Sequence, residues 1–305
     1  MNGKRPDRPD LLDPAELDAL GGLELIARAV VEGFVAGLHS SPSRGFSAEF
    51  AEHRAYRPGD DLRFVDWKMY GRSDRFFLKQ YEEETNLTAH ICLDISRSMD
   101  WRSRAAGLLT KLEYSKRLAA SLTLLLIQQG DLTSLICFAE RVLNRLQPRG
   151  TIAHWAEIVR QLAAQGPGQL SAAEQALEEV ARGAPPRGLV VLISDLLVDE
   201  ARACRALKRL RHQGHELLVF HTLDPGELEL LGSGDAVFVD PETGDEVTAR
   251  SADLRAEYRR AVARALDQWR RFCGSQGIDY YTVATDQPLG LALGEYLDTR
   301  SRLAR

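Results

Sequence analysis

From residue 87 onward, short apolar runs alternate with segments of helical periodicity, and this alternation leaves few folds open. Strands that each feed a helix build a mostly parallel sheet covered on both faces. The run Gly188 to Ser194 carries the most information, because it is apolar almost without interruption. A strand buried on both faces reads this way, whereas a half-exposed strand alternates.

The rest of this part follows the same scheme. Residues 88–94 form the first central strand, and a helix runs from Thr110 to Gln128 with Leu112, Ser115, Ala119, Leu122 and Leu126 on one face. Leu132 to Phe138 and Val142 to Leu146 read as strands, with the second in an edge hairpin. Helices over Ile152–Ala164 and Ser171–Ala181 are separated by Gly166-Pro167-Gly168. A helix from Asp199 to Gln213 and a strand from His215 to Thr222 come next. Pro241-Glu242-Thr243-Gly244-Asp245 marks a hairpin between Ala236–Val239 and Glu246–Thr248. A long helix, Ala252 to Cys273, carries Leu254, Tyr258, Ala261, Val262, Ala265, Leu266, Trp269 and Phe272 at the 3.6-residue period. Ile278 to Ala284 is the last strand, and Asp286 and Pro288 open a terminal helix. Ahead of residue 87, a helix from Pro14 to Leu38 precedes two or three short strands between Phe46 and Tyr81. Three segments result: a disordered tail over 1–12, a helix with a β-rich extension over 13–86, and an α/β domain over 87–305.

Composition narrows the function classes. Apolar residues make up 44% of the 305 and charged residues 27%, with a net charge of −5. That balance gives no bulk attraction to nucleic acid or anionic membrane. The N-terminus shows no apolar signal region, and Leu118 to Ile127 is too short to span a bilayer, so the expected location is cytoplasmic. Four cysteines at positions 92, 137, 204 and 273 form no C-x-x-C pair, as expected of free thiols in a reducing compartment.

Asp94-x-Ser96-x-Ser98 leaves the first central strand, and Asp195 leaves the strand Gly188–Ser194. Ligands of doubly wound sheets sit beyond the carboxyl ends of such strands. If these two strands are neighbours, two carboxylates and two hydroxyls face one gap. That donor set suits a hard cation such as Mg2+, with Mn2+ or Ca2+ as substitutes. If the aspartates act through water, the direct shell is mostly neutral hydroxyl oxygen. The cation then seeks an outside anion, such as a partner's carboxylate. The competing structural reading has Asp94 ending a strand, Ser96 or Ser98 capping the next helix, and Asp195 capping the helix after its own strand.

Enzymatic readings find less support. An aspartyl-nucleophile phosphatase needs a second carboxylate where Ser96 stands. No Gly-rich phosphate loop and no G-x-S-x-G elbow occurs, and the histidines, among them His53, His90, His154 and His212, form no motif. A metal-assisted phosphohydrolase built on Asp94 is the alternative from the enzyme class.

The constellation of Asp94, Ser96, Ser98 and Asp195 resembles the metal-ion-dependent adhesion site of von Willebrand factor type A domains. A longer match precedes it: Tyr56-Arg57-Pro58-Gly59-Asp60-Asp61-Leu62-Arg63, then Asp66-Trp67. With this stretch the chain resembles the bacterial family called domain of unknown function fifty-eight over about residues 10–300. The resemblance implies a type A-like, doubly wound, mostly parallel sheet with an N-terminal helix and a small β-rich extension. It also implies a MoxR-type AAA+ ATPase as partner, with this chain as a non-enzymatic adaptor or co-chaperone acting on a client it does not identify. By the same resemblance a middle hydroxyl ligand is expected, from Ser171 or alternatively Thr151, and Leu196 stands where a Gly often follows the late Asp.

Between Arg54 and Lys79, seven Lys/Arg and four Asp interleave with Tyr56, Phe64, Trp67, Tyr70, Phe76 and Phe77. This pattern supports either a nucleic-acid surface or a half-buried sheet with its own ion pairs. The acidic run Glu82 to Glu84 favours the second, with Trp67 as an anchor.

Overall fold

The structure is a computed structural model. It describes residues 22–40, 53–55, 77–79, 87–103, 108–168, 173–183, 187–229, 235–239 and 246–303. These fall into two compact units, one drawn from residues 1–37 and 87–305 and the other from 38–86. In the second unit, β1 (His53–Ala55) and β2 (Phe77–Lys79) pair antiparallel, with His53 opposite Lys79. The expected disordered tail and the Tyr56–Trp67 stretch lie outside the described residues.

The first unit opens with α1 (Leu23–Ser40), shorter than the predicted helix, whose residues 14–21 lie outside the described set. In chain order there follow β3 (Thr88–Asp94), α2 (Lys111–Gln128), β4 (Leu132–Phe138), β5 (Val142–Arg149) and α3 (Ile152–Ala164). Next come α4 (Ala173–Gly183), β6 (Gly188–Ser194), α5 (Glu200–His212), β7 (His215–Leu223) and α6 (Pro225–Glu229). The chain ends with β8 (Asp235–Val239), β9 (Glu246–Arg250), α7 (Ser251–Ser275), β10 (Asp279–Ala284) and α8 (Leu289–Leu303). Six strands form one sheet in the order β10-β7-β6-β3-β4-β5, parallel except for the antiparallel edge strand β5. β8 and β9 form the expected separate hairpin. The fold is the doubly wound, mostly parallel α/β sheet that the sequence predicts.

Alternation along the strands divides the core. Cys92, Val190, Leu192, Leu217 and Val219 pack with Leu177, Val180, Ala203, Leu207 and Leu210 of α4 and α5 on one face. The intervening residues Ile91, Leu93, Val191 and Ile193 are equally buried and point to the other face. There α2 packs on β3 and β4 and is flanked by α3 and α8. A single apolar face was expected for α2, but 15 of its 18 residues are buried, so it is covered nearly all round. Its hydroxyls fit because Ser121 Oγ donates to Arg117 O and Thr123 Oγ1 to Ala119 O. Thr110 starts the helix with a reciprocal cap: its side chain accepts from Glu113 N, and Glu113 Oε2 accepts from Thr110 N.

The long helix α7 departs from expectation in its packing. Of its residues from Leu254 to Ser275, only Trp269 and Cys273 are buried; Tyr258, Val262 and Leu266 are half-covered, and Leu254 is exposed. A helix of 25 residues is about 37 Å long, whereas the adjoining six-residue β10 covers about 20 Å. Only the last turns of α7 therefore reach the sheet core. All four cysteines are free thiols. No described helix is long and apolar enough to cross a membrane.

Two features of the sheet lead to predictions. Gly188 opens β6 at φ +153°, and a Cβ there would stand 2.6 Å from the carbonyl oxygen of Thr88 on the neighbouring strand. Gly188→Ala is expected to lower stability by about 2 kcal/mol or more in urea unfolding, because backbone rather than a flexible side chain must yield. His90, buried in β3, meets Ser134 Oγ through Nδ1 at 2.7 Å. Burial, then the neighbouring His215 and Arg145, push its pKa down from 6.5 to about 4. Between those values the unfolded chain binds more protons, so stability falls as pH drops from 6.5 through 4. The His90 share is up to about 1.4 kcal/mol per pH unit. His90→Leu should flatten the pH dependence of the urea midpoint in that window, and an unchanged slope would refute the assignment.

Candidate functional site

The parallel pairing of β3 and β6 sets Leu93 opposite Ile193, so Asp94 and Ser194 end level and Asp195 stands one residue beyond. Asp94 is fully buried. Its Oδ1 accepts from Ser96 N at 2.9 Å, and its Oδ2 accepts from Ser194 Oγ at 2.6 Å. Ser194 Oγ also accepts from Leu196 N at 3.0 Å, so one hydroxyl links the two loops. Ser96 Oγ and Ser98 Oγ share a hydrogen bond at 3.0 Å, and both residues are buried.

The competing capping readings fail on local geometry. Ser96 precedes a single 3-10 turn, Arg97–Asp100, yet its side chain makes no cap hydrogen bond. The cap of α5 is Asp199, which accepts from Arg202 N, so Asp195 is free of that duty. Asp195 instead accepts from Leu197 N at Oδ1 (3.2 Å) and from Lys111 Nζ at Oδ2 (2.8 Å).

Lys111 was not anticipated as part of this site. It is the first residue of α2 and is fully buried, and its Nζ also donates to Glu227 Oε1 at 2.5 Å. Glu227 in turn accepts from Asp224 N at Oε2 (3.0 Å). Asp224, at the end of β7, binds Gly226 N through Oδ1 (2.6 Å) and Ser103 N through Oδ2 (2.9 Å). A Cβ on Gly226 would fall 2.7 Å from Ser103 Cβ, so the loop after Ser98 lies directly on α6. The sequence signal for these residues is weak. A lysine at the first position of a helix opposes the macrodipole, but the sequence does not say which carboxylates it meets. Asp224-Pro225-Gly226-Glu227 places acceptors three apart at a strand end.

The electrostatics follow from burial. Desolvation, then the charge of Asp195, raises the Asp94 pKa to about 7 against the opposing hydrogen bonds of Ser194 and Ser96. Burial pulls the Lys111 pKa down, but Asp195 and Glu227 outweigh it and leave the ammonium above its ordinary value. Burial raises Glu227 despite the adjacent Lys111.

The donor set fits a hard divalent cation. The cis oxygens of an octahedral Mg2+ shell with bonds of about 2.1 Å lie about 3.0 Å apart. The Ser96 and Ser98 hydroxyls stand at that spacing. Each Asp94 and Asp195 oxygen accepts one hydrogen bond from the protein and keeps lone-pair capacity. Among the described residues no three His, Cys, Asp or Glu side chains converge as a metal cage.

The middle hydroxyl divides differently. Ser171 lies outside the described residues, but Gly168, three positions earlier, donates its N–H to Ile95 O of the site loop at 2.6 Å. Thr151 is excluded as the alternative. Antiparallel β5 carries the chain back to the amino-terminal end of the parallel strands, where Arg149 pairs with Thr133, and Thr151 there accepts from His154 N as the cap of α3.

The mycobacterial relatives this chain resembles are themselves uncharacterized. Proteins of Mycobacterium tuberculosis and Mycobacterium bovis are each 29% identical over 305 residues, covering 97% of this chain and 93% of theirs. Among solved structures, the conserved hypothetical protein BatB from Bacteroides thetaiotaomicron aligns with 71% of this chain and 99% of its own at a TM-score of 0.45 and 18% identity. The SpRpn10 VWA domain aligns with 68% of this chain and 93% of its own at a TM-score of 0.39 and 11% identity. Residues 52–268 match the family described as "Protein of unknown function DUF58", and the chain belongs to that family.

Proposed function

We propose that this chain is a non-enzymatic, Mg2+-dependent protein-binding module whose site is Asp94, Ser96, Ser98 and Asp195, with Ser171 as the further hydroxyl. The observation that carries this reading is the Ser96–Ser98 hydroxyl pair, 3.0 Å apart and unused by any cap, beside two buried aspartates. A bound cation would supply an electrophilic open position for a carboxylate of the partner. Asp94 is held for this role by Ser96 N and Ser194 Oγ, which fix both its oxygens. Trp101 and Leu197, 40% and 56% exposed, follow the two aspartate loops and offer apolar surface at the same edge of the sheet. The family resemblance names the expected partner, a MoxR-type AAA+ ATPase, with a client protein beyond it.

A nucleophilic Asp94 fits the geometry less well. Both of its oxygens are held by hydrogen bonds from Ser96 N and Ser194 Oγ, and a serine stands at 96 where an aspartyl-nucleophile phosphatase needs its second carboxylate.

Asp94→Asn tests the reading. In calorimetric titration with Mg2+ the variant should lose at least about tenfold in affinity, since a charged oxygen ligand is gone. The Mg2+-dependent complex with the ATPase should be lost with it. Binding that persists in excess chelator would remove the metal from the mechanism. Turnover of a generic phosphomonoester that Asp94→Asn abolishes would replace a binding module with a phosphohydrolase.

The same residue sets a pH dependence. With chelator present, the folded protein holds a proton on Asp94 up to about pH 7, and the unfolded chain only to about 3.8. Folded protein therefore binds more protons in that window, and metal-free stability falls as pH rises through it. At pH 7.5 in chelator, Asp94→Asn should be more stable than the parent by roughly 1–4 kcal/mol in urea unfolding. A variant that is clearly less stable would contradict the burial penalty.

A further inference from the structure

We propose that Lys111 is a built-in competitor for Asp195, shared with Glu227, and that this ion pair sets how tightly the Asp94–Asp195 site takes a divalent cation. The inference rests on the metal-site reading above and adds the residues that tune it.

Three observations carry it. Lys111 sits at the N-terminal end of α2, where the helix dipole disfavours a cation, so its position is maintained by the carboxylates it meets. Its side chain and that of Asp195 are each 1% exposed, so water does little to screen either charge. Its Nζ divides between Asp195 Oδ2 at 2.8 Å and Glu227 Oε1 at 2.5 Å.

Any cation that draws on Asp195 must share that carboxylate with an ammonium. Two positive charges on one buried acceptor repel strongly at low effective dielectric. Glu227 relieves the conflict by offering Lys111 a second anion. Its own position is fixed by Asp224 N, and Asp224 also holds Ser103 in the loop after Ser98. The carboxyl end of the sheet thus contains its own monovalent counter-ion, poised between the metal site and α6.

Opposite effects are expected from the two ends of the same ion pair. Lys111→Met removes the competitor and should tighten Mg2+ binding by about tenfold or more. Glu227→Gln leaves Lys111 to Asp195 alone and should weaken binding by several-fold. A purely structural ion pair would instead weaken binding from either end.

The test is isothermal titration of Mg2+ into the full chain, as parent, Lys111→Met and Glu227→Gln, with circular dichroism checking the fold. Tighter binding in the first variant and weaker in the second support the inference. It is overturned if folded Lys111→Met binds no tighter than the parent, or if Glu227→Gln binds as tightly as the parent or tighter. If Lys111→Met does not fold, Glu227→Gln decides alone. If the parent gives no heat and Lys111→Met binds, the lysine is the block and the inference stands. If no protein in the series binds Mg2+, the metal-site reading falls and takes the inference with it.

Discussion

The parallel pairing of β3 with β6 at the centre of the sheet is the constraint on which the rest depends. Its register sets Leu93 opposite Ile193, so Asp94 and Ser194 end level, with Asp195 one residue on. A slip of one residue would turn every side chain of β3 to the other face. It would also separate Asp94 from Ser194, whose 2.6 Å hydrogen bond is the direct link between the two loops. The register is secured by burial on both faces. Ile91, Cys92, Leu93, Val191, Leu192 and Ile193 have almost no solvent contact, so no shifted pairing leaves the core intact. The apolar runs that define the sheet therefore also aim the aspartates.

Bringing acidic groups together in a dry place has a cost that the surrounding structure meets only in part. Asp94, Asp195 and Glu227 against Lys111 leave two negative charges in excess when all are ionised. Lys111 meets Asp195 and Glu227 but makes no hydrogen bond to Asp94, which is served by neutral donors alone. The consequence is the raised pKa of Asp94, while the lysine is held firmly charged. Removing one partner of a buried ion pair usually costs more than the pair contributes. The Lys111 pair therefore bears on the stability of the fold as well as on the site.

Much of this architecture was legible in the chain. Strands Leu132–Phe138 and Gly188–Ser194 and helix Ile152–Ala164 follow their predicted bounds, because short, mostly apolar runs bounded by turn residues and a 3.6-residue period are strong signals. The placement of Asp94 and Asp195 at the carboxyl ends of two strands was also legible, and β3 and β6 are neighbours. What escaped is instructive. The all-round burial of α2 depends on which helices cover it, and a single-face pattern does not contain that. The shallow packing of α7 depends on the length of β10, which is a tertiary fact. Lys111 reads as an ordinary helix lysine until Glu227, 116 residues away in sequence, is known to lie beside it. The Thr151 alternative failed for a related reason: β5 reverses direction, and only the sheet topology shows to which end of the strands the chain returns.

Leu196 shows how the site and the core share one backbone. It stands where the family resemblance leads one to expect glycine, and it adopts φ 53°, a left-handed conformation that costs a leucine about 1–2 kcal/mol. Its side chain is 5% exposed and packs in the cluster formed with α5, which returns about 1.5–3 kcal/mol of burial. On that balance leucine holds its place without glycine's freedom. The left-handed turn also points Leu196 N at Ser194 Oγ and Leu197 N at Asp195 Oδ1, at 3.0 and 3.2 Å. A glycine could take the same turn but would give up the core contact that locks it. The leucine thus anchors the loop from below, so that Asp195 and Ser194 are held by packing as well as by hydrogen bonds. Rigid positioning of this kind is what a recognition site needs, because each ligand group ordered in advance is one that binding does not have to order.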